Sequence, residues 1–162
     1  MKDCLEYLNG ILSMIVLLMG LSVLGFIPSK SLKKWYKDFG LLAFLMDITI
    51  FVLSLSISFF IYPYFFSKFS LIPFIILAIN VQFAHDILLT WVAFSVKPGK
   101  YGILDGTRDY VNEHGITVYI ADAILISSAI LIAQYMKKYS KDVNMISLLF
   151  LFYHVPIFLT SF

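Results

Sequence analysis

At 162 residues, 60% hydrophobic and only 14% charged, with a mean hydropathy of +0.90, the chain lies far from the roughly quarter-charged composition of soluble domains and reads as a polytopic membrane protein. Its net charge of +2 resides in the connections and not on a basic face, which excludes a nucleic-acid footprint. Cys4 is the only cysteine, so an internal disulfide, a CxxC redox pair and a thiolate cluster are excluded as well.

The fold class that follows is all-α: one transmembrane helical bundle over residues 1–162, with about five spans and a short interfacial helix. The first span covers 5–27. Ile27-Pro28-Ser29-Lys30 offers no small-residue cleavage pattern, so a retained helix closed by Pro28 is expected rather than a signal peptide. Residues 29–38 carry Lys30, Lys33, Lys34 and Lys37 around Trp35 and Tyr36, the composition of a positively charged connection at headgroup level.

The second span, 39–61, places Asp47, Ser54 and Ser58 on one face, because offsets of seven and four residues return to the same side of a helix. An aromatic turn over 62–69 leads into the third span, 70–96, where Pro73 falls in the first turn and costs least. At ~1.5 Å per residue this span reaches roughly 40 Å, more than the ~30 Å hydrocarbon core needs. Gln82, His85, Asp86 and Thr90 share one side of it and Asn80 points the other way. A carboxylate at that depth costs ~2.5–3.5 kcal/mol on insertion scales, so the stripe is expected to face protein or trapped water.

Lys97-Pro98-Gly99-Lys100 breaks the third helix. Residues 103–114 then set Ile103, Leu104, Tyr110 and Val111 against Asp105, Arg108, Asp109, Asn112 and Glu113, which predicts a helix lying on the membrane surface and ended by Gly115. The alternative is an ordinary loop with one helical turn. Asp105, Arg108, Asp109 and Glu113 are the residues of this segment expected to touch partners. Their mixed signs suit a solvated surface better than a metal site. The fourth span, 116–136, aligns Gly115, Asp122, Ala129 and Ala133, small residues that would let another helix approach around Asp122. A basic turn at 137–142 precedes the fifth span, 143–162, with Ser147, His154 and Ser161 at heptad spacing and Pro156 as a kink.

Five spans put the two ends of the chain on opposite faces. The positive-inside rule places 29–38 and 97–115 in the cytoplasm, with seven basic residues against five on the other side (Lys2, Lys68, Lys137, Lys138 and Lys141); the turn at 137–141 disagrees, so absolute orientation stays open.

Relative depth does not depend on that choice. Asp47, Asp86, Asp122 and His154 are displaced from their span midpoints toward the same leaflet, by roughly 2–6 Å at ~1.5 Å per residue. With Gln82 and His85 they form a candidate buried cluster or proton or ion path. No span contains a lysine or arginine, so only His85 and His154 could counter the acids, and at least two of the three aspartates are expected to be protonated, hydrogen-bonded or holding a cation at neutral pH. The alternative use of the same residues is hydrogen-bond glue between helices, with Ser54, Ser58, Ser147 and Gln82 as partners. His85, Asp86, Asp122 and His154 have the atom types for a metal, but neighbouring side chains on a helix diverge by about 100° and no His-x-x-x-His occurs; neither metal nor cofactor is expected. The missing intramembrane lysine excludes a retinal Schiff base, and no potassium-channel filter, phosphate loop or nucleophile elbow is present.

Phe83-Ala84-His85-Asp86-Ile87-Leu88, Lys97-Pro98-Gly99-Lys100, Ile103-Leu104-Asp105, Arg108-Asp109-Tyr110, Gly115, Asp122-Ala123 and Tyr135-Met136-Lys137 together resemble a family of small multi-pass membrane proteins of nucleocytoplasmic large DNA viruses. The resemblance covers the C-terminal half. It implies a setting, a virion membrane or host internal membrane, and no activity. Two functions are therefore expected to compete: a non-enzymatic structural or scaffolding component of such a membrane, with lipid and further copies or other membrane or capsid proteins as partners, and a small proton or cation channel or carrier.

Overall fold

The computed structural model describes residues 3–162, and Lys2 of the charge comparison lies outside them. Seven helices follow one another: α1 (Cys4–Val23), α2 (Lys30–Phe39), α3 (Leu41–Phe65), α4 (Leu71–Ser95), α5 (Gly102–His114), α6 (Thr117–Met136) and α7 (Lys141–Leu159). Five of them, α1, α3, α4, α6 and α7, are long and apolar enough to cross a membrane. Their outward faces carry Leu17, Val52, Ile76, Ile124, Leu131 and Ile146, all exposed, as a bundle surrounded by lipid requires.

α1 and α6 form the central pair, α7 lies against α1, and α4 bridges α6 and α3. The α1–α6 contact is backbone-close. A Cβ added at Gly10 would sit 2.0 Å from the Ala129 carbonyl oxygen, and Ala129 and Ala133 are themselves buried. The small residues of the fourth span thus do permit close approach, but to the first helix and about two to three turns beyond Asp122.

Three boundaries differ from expectation. α1 ends at Val23, where the Leu24 and Phe26 amides turn back to the Gly20 and Leu21 carbonyls, four residues before Pro28 is reached. α3 runs on through Pro63 to Phe65 in place of an aromatic turn from Tyr62. Pro63 deprives only the Phe59 carbonyl of its partner so near the helix end, and Tyr62 stacks on Phe66 with ring centroids 4.8 Å apart. The lysine-rich connection is itself a helix, α2: Ser29 Oγ caps it by accepting from the Leu32 amide at 3.1 Å. Its lysines at 30, 33, 34 and 37 occupy one helical face while Leu32 and Tyr36 are buried on the other.

The predicted surface helix is α5, ended by Gly115 in the left-handed region (φ 55°) with its amide on the Val111 carbonyl at 2.7 Å. α2 and α5 pack side by side across one end of the bundle. The turns at 66–70 and 137–140 lie at the other, the alternation that five crossings impose. α7 continues through Pro156.

Candidate functional site

Beneath α2 and α5 the four helices α1, α3, α4 and α6 do not close. A cavity of about 150 Å³ remains, room for several water molecules. Asp47 from α3, Gln82, Asp86 and Thr90 from α4, and Asp122 from α6 all line it; its other walls include Ile15, Phe51, Leu89, Val118 and Leu125. Trp35 of α2 and Gly106, Thr107 and Tyr110 of α5 form the roof. A Cβ on Gly106 would meet the Trp35 ring at 2.9 Å, so glycine at that position lets the two roof helices touch.

The three acids are served unequally. Asp47 accepts from the Tyr36 hydroxyl at 2.6 Å. Burial first, and then the Asp47 carboxyl beside it, push the Tyr36 phenol well above its ordinary 10, which keeps it a donor. Asp86 is 8% exposed; its Oδ1 accepts from Gln82 Nε2 at 2.7 Å and pairs with His85 Nδ1 at 3.1 Å. Gln82 Oε1 in turn accepts from the Ser54 hydroxyl at 2.8 Å, tying α3 to α4. Asp86 Oδ2, also buried, has no partner, and Asp122 makes no side-chain hydrogen bond among the described residues. Among the described residues no lysine or arginine lines the cavity.

The expectation that acids from separate helices gather at one level therefore holds for Asp47, Asp86 and Asp122, with Gln82 between them. It does not hold for His154. That ring lies on α7 against Phe150 and Tyr153, with Nδ1 at 2.8 Å from the Phe150 carbonyl of its own helix. α7 packs on α1, so His154 has the right depth on the wrong side of α1. The acids also line a chamber without converging on a point: among the described residues no three His, Cys, Asp or Glu side chains are placed to hold a metal ion. Asn80 faces outward as expected and donates to its own helix at Ile76.

The residues of α5 expected to meet partners make hydrogen bonds and ion pairs within the chain. Arg108 donates to the Ala93 carbonyl and, at 2.7 Å, to the Val96 carbonyl at the end of α4, and its Nη1 meets Asp105 at 2.5 Å. A cation on the last carbonyls of a helix satisfies otherwise orphaned acceptors and complements the helix dipole. Asp105 Oδ2 also holds the Gly99 amide at 3.0 Å. Asp109 pairs with Lys34 at 2.8 Å, and Glu113 accepts from the Lys30 and Ser31 amides at 2.8 and 2.6 Å. The N-terminus of α2 is thus capped by a carboxylate from α5. The Ser31 side chain, then the Lys30 and Ser31 amides and nearby His114, hold Glu113 down at about 2 from an ordinary 4.5.

No protein-family model, characterised protein or solved structure matches the chain.

Several residues that matter here carried little sequence signal. Trp35 of the roof and its neighbour Tyr36 look like headgroup aromatics until α2 is seen to be a helix, although the i, i+3, i+4, i+7 spacing of its lysines and the Ser29 cap could have revealed it. Asn9 and Asn144, both fully buried, join α1 to α7 through Asn9 Nδ2 and the Asn144 carbonyl at 2.9 Å. Two amides inside otherwise apolar spans were the signal, and they hold the fifth span in place where Ser147, His154 and Ser161 do not.

Proposed function

We propose that this multi-pass membrane protein is a small, non-enzymatic proton or cation carrier that loads its acidic chamber from the α2/α5 end. The observation that carries this reading is the pairing deficit inside the cavity: among the described residues it is lined by three carboxyl groups and no lysine or arginine, and one buried Asp86 oxygen has no hydrogen-bond partner. Removing charge from water without a partner is costly, so such a group is served by a proton, by water or by a cation entering the chamber. An open channel fits less well. Past the chamber the bundle is filled by Leu12, Leu55, Ala78, Ile126 and Ile130, and at the far end Tyr7, Phe59, Tyr62 and Phe74 pack ring against ring at 4.4–6.3 Å. A carrier would have to part that apolar plug.

That plug favours a second reading, a structural or scaffolding component whose polar residues serve packing. The resemblance of the C-terminal half to membrane proteins of large DNA viruses supports it, and would place the bundle in a virion or host internal membrane. Proteoliposomes with an interior pH-sensitive dye and an imposed gradient separate the two. Under the carrier reading the wild-type protein dissipates the gradient, and Asp86→Asn abolishes the effect while leaving the helix content intact. Vesicles indistinguishable from empty ones, with Asp86→Asn changing only bundle stability by about 0.5–2 kcal/mol, would leave the scaffold.

A further inference from the structure

The chamber's chemistry is more specific than "acidic", and it says what kind of cation fits. A small metal ion needs several hard donors converging at one point, and the aspartates of α3, α4 and α6 do not converge; they sit on separate walls of one cavity. Between them the lining is apolar, with Ile15, Phe51, Leu89, Val118 and Leu125, so a bare ion would lose its hydration there without replacement. Two aromatic rings, Trp35 and Tyr110, close the roof, and rings of this kind attract a desolvated organic cation. The unpartnered Asp86 Oδ2 lies in a side chain that is 8% exposed and already fixed through its other oxygen by Gln82 and His85. Asp86 thus meets the chamber with a carboxylate already held in place. The volume, about 150 Å³, accommodates roughly five to seven non-hydrogen atoms at ~20–30 Å³ each.

We infer that the chamber between α1, α3, α4 and α6 is a binding site for a small alkylammonium cation. The N–H groups of this ligand donate to the Asp86 carboxylate on the chamber wall, and its hydrocarbon part lies against the apolar walls under Trp35 and Tyr110. This rests on the carrier reading and narrows its cargo to protonated amines. A primary ammonium has three N–H donors and can reach a second acceptor across the cavity. Asp122, which has no hydrogen-bond partner of its own among the described residues, is that acceptor; Asp47 is already satisfied by Tyr36. Thr90 is less available, since its hydroxyl accepts from Tyr119 at 3.2 Å.

The test is calorimetric titration of n-butylammonium chloride into the full chain in phosphatidylcholine nanodiscs at neutral pH, with empty nanodiscs as blank. n-Butanol, sodium and calcium serve as competitors. Saturable binding of n-butylammonium at one site per chain, weakened about tenfold or more by Asp86→Asn and by Asp122→Asn and unaffected by the three competitors, is the expected result. Because either substitution could disturb folding, Ala121→Leu provides an uncharged check: it adds bulk to the chamber wall, and should abolish binding while every carboxyl is kept. Binding equal to that of n-butanol, or lost to calcium in competition, would overturn the inference, as would binding that survives both Asp→Asn changes and Ala121→Leu. The vesicle assay keeps the two readings apart. Asp86-dependent proton flux with no n-butylammonium binding sinks the amine site and leaves the carrier, whereas n-butylammonium binding without any flux sinks the carrier and leaves the site.

Discussion

Glu113 shows how one side chain can hold two surface helices together. Its carboxylate takes the first amides of α2, which have no partner within their own helix, and it does so from α5. Its folded-state value near 2 lies below the ordinary 4.5, so the ionised form is the one the fold favours. The stabilisation is fully present above about pH 4.5 and is lost as pH falls toward 2. Glu113→Gln should therefore lower the thermal midpoint of the detergent-solubilised protein at pH 6, with the difference shrinking steadily on acidification to pH 3. A gap between variant and wild type that does not change across that range would show that Glu113 acts through packing and not through charge. The alternating signs of Asp105 and Arg108 along the helix suit a solvated surface, yet Arg108 turns inward to the end of α4. Residue type and spacing could not reveal that, since the acceptors are backbone carbonyls fifteen and twelve positions away.

At the scale of the helix, the α1–α6 pair turns on a single missing side chain. Ala raises helix propensity over Gly by about 1 kcal/mol, so a Gly→Ala change inside a helix stabilises wherever there is space. At Gly20 the added Cβ would come 3.2 Å from Phe158 Cζ, the end of a side chain that can move; at Gly10 it would come 2.0 Å from a backbone oxygen that cannot move without its helix. Gly20→Ala is expected to be near neutral in a denaturation titration with a strong detergent. Gly10→Ala should lose about 1–3 kcal/mol by forcing the helices apart. Equal behaviour of the two variants would mean that the helices are not in backbone contact at this point. The small-residue pattern of the fourth span pointed to a close approach, but the pattern belongs to one helix and cannot say which neighbour supplies the matching glycine. Likewise, of the heptad Ser147, His154 and Ser161, only the first two fall on α7, and the packing of α7 on α1 leaves His154 away from the chamber.

For the molecule as a whole, α2 and α5 at one end and the Lys68 and Lys137–Lys141 turns at the other make sidedness a single binary question. The lone cysteine answers it without engineering. Cys4 is exposed at the end opposite α5, so in sealed vesicles a membrane-impermeant maleimide should label either Cys4 or a cysteine introduced at Asn112 (in a Cys4→Ser background), never both. The seven basic residues on the α2/α5 side predict that Asn112→Cys is the one protected on whole cells. Labelling of both from one face would mean an even number of crossings.

What sequence alone determined is what depends on distance along a chain: the number of apolar rods, the breaks between them, the α5 segment and its Gly115 stop, and the common depth of Asp47, Asp86 and Asp122. Helical rise converts residue number into depth with no knowledge of neighbours. What only the tertiary structure decided is azimuth, meaning which side of each rod meets which other rod. Azimuth excluded His154, brought Tyr36, Trp35 and Tyr110 over the acids and put Asp86 on the wall of a largely apolar chamber. In lipid every outward face is as apolar as the inward one, so the pattern of hydrophobic residues that orients a helix in water carries little information here, and packing alone makes the choice.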